Sequence, residues 1–88
     1  MKEILMKSEE KKSRIEVAAF LKDVAERIES GTVKLKQGEE TIILDIPEKL
    51  TLELKVQEKT KQMKPKKKQL EIELEWYIGE KNEQIELG

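Results

Sequence analysis

The sequence predicts an α+β fold of two layers, an antiparallel β-meander of four strands with one α-helix packed on one face. Three observations predict it. One capped stretch repeats its apolar residues at helical spacing, every later apolar stretch alternates with a period of two, and turn residues separate these stretches at short intervals. Short connections make successive strands antiparallel, and alternation leaves one apolar sheet face for the helix to cover.

The helix opens at Ser13. Ser13-Arg14-Ile15-Glu16 has the form of a capping box, in which the Ser13 hydroxyl accepts an orphan amide and Glu16 reaches back to the cap. Val17, Leu21, Val24 and Ile28 then form one stripe, with Ala18 and Ala25 beside it allowing close approach. Ser30-Gly31 closes the helix, since glycine suits the left-handed position past a helix end.

Beyond Gly31 the period drops to two. Val33 and Leu35 make a first strand, Gln37-Gly38-Glu39 a hairpin turn, and Ile42, Leu44 and Ile46 the return strand. Pro47-Glu48-Lys49 breaks the run. Leu50, Leu52, Leu54 and Val56 form a third strand, and Leu70, Ile72, Leu74, Trp76 and Ile78 a fourth. Residues 3 to 7 suggest a fifth, N-terminal strand with Ile4 and Met6 inward. Residues 1–79 therefore read as a single domain and residues 80–88 as a polar, fraying C-terminal tail.

Composition excludes much chemistry. The 88 residues contain no cysteine and no histidine, which removes disulfides, zinc-thiolate sites, thiol nucleophiles and the usual near-neutral acid/base group. The glycines are scattered, so no phosphate-cradling loop is written, and the serines sit at helix boundaries. No catalytic residue, metal site or cofactor is expected. The segment from Met1 to Lys12 has only Ile4, Leu5 and Met6 between charges, short of a signal-peptide core, and the longest apolar run is Val17–Leu21. A cytoplasmic protein with no membrane partner is expected.

Two charged constellations stand out. Between Lys59 and Gln69 lie Lys59, Lys61, Lys64, Lys66, Lys67 and Lys68 and no acid. Removing those six charges from the net −1 leaves −7 on the rest, an acidic body with one basic tip. Such a tip suits weak, sequence-independent contact with nucleic acid or another polyanion, and the alternative is a solvated loop that keeps a hairpin end soluble. Glu71, Glu73 and Glu75 alternate with the apolar row and face away from it by strand parity. Carboxylates two apart on a strand are about 6.5–7 Å apart, too far to share an ion without further ligands. They read as a solvated face with a cross-strand partner in Lys55. That acidic row also repels phosphate from the sheet face, where RNA-binding sheets display aromatics.

Three features together carry a resemblance: LEIELEWYIG at 70–79, KSEEKKSRIEVAAFLKDVAERIESG at 7–31, and their order. Over roughly residues 2–79 the chain resembles the amphi-Trp domain, a small prokaryotic domain named for an amphipathic segment ending in tryptophan. Trp76 matches the named tryptophan. The resemblance implies neither an activity nor a cofactor. By parity Trp76 lies with Leu70, Ile72 and Leu74, which suits a lid closing an apolar layer or an anchor buried at a subunit interface. The functional expectation is a non-enzymatic binding or interaction module, self-associating through the apolar sheet face near Trp76 or engaging a protein partner. The alternative is polyanion contact by the lysine tip.

Overall fold

In the computed structural model, residues 1–79 are described; the expected polar tail over 80–88 lies outside the described residues. The element order is α1 (Arg14–Ser30), β1 (Thr32–Gln37), β2 (Glu40–Asp45), β3 (Thr51–Lys59) and β4 (Lys67–Glu75), an α+β chain whose four strands are all antiparallel. They pair as two hairpins, β1 with β2 and β3 with β4. Contacts divide the chain into two compact units, Met1–Glu48 and Lys49–Gly88.

The first unit forms around the signals read from the sequence. Ser13 Oγ accepts from the Glu16 amide at 3.1 Å, and the Ser13 amide donates to Glu16 Oε1 at 3.2 Å. The Ser13 backbone amide foremost, and the Ser13 hydroxyl after it, stabilise the ionised Glu16 carboxylate and hold its pKa below the ordinary value. At the far end Gly31 takes φ 95°, and its amide donates to the carbonyls of Arg27 and Ile28. The Gly31 carbonyl also accepts from the Ile46 amide at 2.9 Å, so this residue ends the helix, starts β1 and holds the chain leaving β2.

The β1–β2 register sets Val33 opposite Leu44 and Leu35 opposite Ile42, on one face. α1 packs against β1. Val33 is 5% exposed, while Val24, Ile28, Leu35, Ile42 and Leu44 are half-buried around it. Val17 and Leu21, expected in the same stripe, are exposed. For Val17 the physical reason is length. From Ile28 back to Val17 the helix rises about 16 Å, whereas Val33 to Gln37 spans about 13 Å, so Val17 overhangs the hairpin; Leu21, about 10 Å from Ile28, is not accounted for by length. Gly38 supplies the positive φ, 61°, that a two-residue hairpin turn demands.

Residues 3 to 7 do not form the expected fifth strand. Met6 is half-buried but Ile4 is exposed. The hydrogen bond tying this segment to the hairpin comes from a side chain, Gln37 Nε2 donating to the Lys7 carbonyl at 3.0 Å. A strand exists only as a partner in a backbone ladder, and here a side-chain contact stands in its place.

In the second unit β3 and β4 run further toward their loop than apolar alternation indicates. Rungs Gln57–Gln69, Glu58–Lys68 and Lys59–Lys67 follow the apolar pairs, leaving Thr60–Lys66 as the loop. At the other end β4 stops at Glu75, so Trp76 lies one residue beyond the ladder, and it is half-buried. Among the described residues no helix is long and apolar enough to cross a membrane.

Candidate functional site: a charge-graded ribbon

Parity divides the β3–β4 ribbon cleanly. One face carries three apolar cross-strand pairs, Leu52–Leu74, Leu54–Ile72 and Val56–Leu70. Such pairs are the unit of sheet stabilisation, but a two-stranded ribbon has no second layer of its own and is marginal alone in water.

The opposite face is graded in charge. Its rungs run Thr51–Glu75, Glu53–Glu73, Lys55–Glu71, Gln57–Gln69 and Lys59–Lys67, from acidic through balanced and neutral to basic. Gln69 Nε2 donates to Glu71 Oε1 at 2.8 Å, linking the neutral rung to the balanced one. Lys55 stands opposite Glu71 in the register, but among the described residues no ion pair joins the two.

At the acidic end Glu53, Glu73 and Glu75 bring carboxylate oxygens within 4.8 Å of one another. The approach runs across the ladder from Glu53, which along-strand spacing does not reveal. All three are exposed. Exposed acidic groups of this kind are common at surfaces, and the cluster concentrates negative charge at this end of the ribbon.

At the basic end the loop is shaped. The Lys64 amide donates to the Lys61 carbonyl at 3.3 Å, closing a turn with Met63 at φ 63°. Lys59, Lys61, Lys64, Pro65 and Lys67 line an open concavity of about 330 Å³. Of the six lysines singled out in the sequence, Lys59 ends β3, Lys67 and Lys68 begin β4, and Lys61, Lys64 and Lys66 lie in the loop. Lys68 stands on the apolar face opposite Glu58, so it is charge-balanced and turned from the concavity. Trp76 lies beyond the other end of the ribbon, about 30 Å away along a nine-residue strand.

A family model described as the amphi-Trp domain matches residues 1–88. The chain belongs to the amphi-Trp family. No curated protein and no solved structure matches it significantly. In this amphi-Trp domain the amphipathic segment is β4, and the tryptophan that follows it is the first residue after the ladder ends.

Proposed function

We propose that this amphi-Trp domain is a non-enzymatic interaction module that self-associates as a homodimer through the apolar face of β3–β4. The observation that carries the reading is the set of three apolar pairs on a ribbon whose own unit offers no covering layer among the described residues. The occupant we assign is a second copy. Burying a fully exposed Val, Leu or Ile side chain is worth about 1.5–3 kcal/mol, and the six partly covered ones per copy supply a gain comparable to an association cost of about 4–15 kcal/mol. A two-fold axis across the face and perpendicular to the strands runs the two ribbons in opposite directions, the acidic end of one over the basic end of its partner. Stacked sheets lie about 10 Å apart and the graded faces point outward from such a pair, beyond a Debye length at physiological salt, so the apolar face supplies the affinity and the charges add little.

Trp76, flanking the same row, is read as a core lid or as the rim of that interface. A cytoplasmic, prokaryotic setting goes with the reading, in keeping with the family resemblance and the lysine- and glutamate-rich composition.

The test is mass and melting temperature across a concentration series. A mass approaching twice 10.3 kDa, with a melting temperature rising with protein concentration, is expected. A monomeric mass at high concentration, with concentration-independent melting, overturns the proposal and assigns the cover of this face to the same chain.

A further inference from the structure

We propose that the concavity at the β3–β4 tip is an anion site for a chain of closely spaced phosphates, held by charge alone. Its ladder ends on a like-charge rung, Lys59 opposite Lys67, an arrangement that destabilises a bare hairpin. The Lys61–Lys64 turn, closed by its backbone hydrogen bond, brings two more lysines to the same hollow. Among the described residues no acid lines it, and the adjacent rung on that face is the neutral Gln57–Gln69 pair. Four cations around one small hollow repel one another when it is empty. A bound polyanion adds an attraction to each of those cations and so offsets their mutual repulsion.

The absence of any aromatic lining the hollow fixes the ligand's chemistry. Base recognition in single strands rests on stacking platforms, and the residues here are four lysines and a proline. The site therefore reads phosphates and not bases. Inorganic polyphosphate and a single-stranded nucleic-acid backbone share that chemistry. The site is independent of the apolar face, so self-association and anion binding fail separately.

The experiment follows the backbone amides of the full chain by NMR during titration with tripolyphosphate and, in a second arm, with a mixed-sequence single-stranded oligonucleotide. Shifts confined to residues 59–67 are expected in at least one arm, and the responding arm identifies the source. For the oligonucleotide, four phosphate contacts at about 0.7 counterion each imply affinity falling about fifty-fold for a four-fold rise in salt. A triple variant, Lys61→Gln with Lys64→Gln and Lys67→Gln, should lose at least tenfold in affinity with its helix signal intact. A control triple, Lys2→Gln with Lys7→Gln and Lys11→Gln, removes the same charge elsewhere and should bind as wild type. No binding in either arm, or equal losses in both triples, overturns the site.

Discussion

Lys59 and Lys67 face each other across the terminal rung of the β3–β4 ladder, two like charges where a hairpin would ordinarily place a neutral or opposite pair. If the rung is kept for binding, it is a local cost to stability. Lys67→Glu creates an opposite pair and should raise stability by about 0.2–1 kcal/mol, read from a higher urea midpoint. The same change should weaken tripolyphosphate binding. A variant that is both more stable and an equal binder would separate the rung from the site.

Met63 holds φ 63° with its side chain fully exposed at 101%. That conformation suits asparagine or glycine and is worst for β-branched residues. Met63→Asn should therefore stabilise and Met63→Val destabilise, the two differing by about 1–2 kcal/mol in chemical denaturation. Equal midpoints would mean that the turn relaxes freely.

Trp76 is half-buried just past β4. A fully buried tryptophan cut to alanine costs about 3–5 kcal/mol, so Trp76→Ala should cost about half of that. A lid loses stability equally at all protein concentrations. An interface anchor loses it chiefly where the wild type is associated, which calorimetry at two concentrations distinguishes.

The capping box carries a pH dependence. Hydrogen bonds from Ser13 hold the Glu16 pKa below its ordinary value, so the stability they contribute is present above the unfolded-state pKa. It is lost as pH falls through the folded-state pKa. Amide shifts at residues 13 to 17 should report fraying of the first helical turn in acid, and Glu16→Ala should flatten that acid response. Ser13→Ala should cost about 1 kcal/mol at neutral pH.

Punctuation residues account for most of what the sequence makes legible. Ser13, Gly31, Gly38 and Pro47 each have a mechanism that acts within a few residues, and each stands at an element boundary. What escapes depends on a partner across the ladder. Gln57–Lys59 and Lys67–Gln69 carry no apolar alternation, so nothing local marks them as strand, yet backbone pairing continues through them. Glu53 joins Glu73 and Glu75 only because the register aligns them. Met63 in the left-handed region has no local signature, because methionine is not a residue that seeks it. Residues 3 to 7 show the converse, a strand-like pattern without a ladder.

Gly31 connects its two elements without a spare residue, Ser30 ending α1 and Thr32 opening β1. Helix and hairpin of the first unit can therefore close by diffusion of adjacent segments, with almost no loop entropy to overcome. Both ladders likewise join neighbours in sequence. Such local topology places folding toward the microsecond-to-millisecond end of the range for small domains. Stopped-flow refolding should find the helix signal complete within the dead time or shortly after it. Gly31→Val, which strains the joint, should slow that phase more than any change in the Thr60–Lys66 loop.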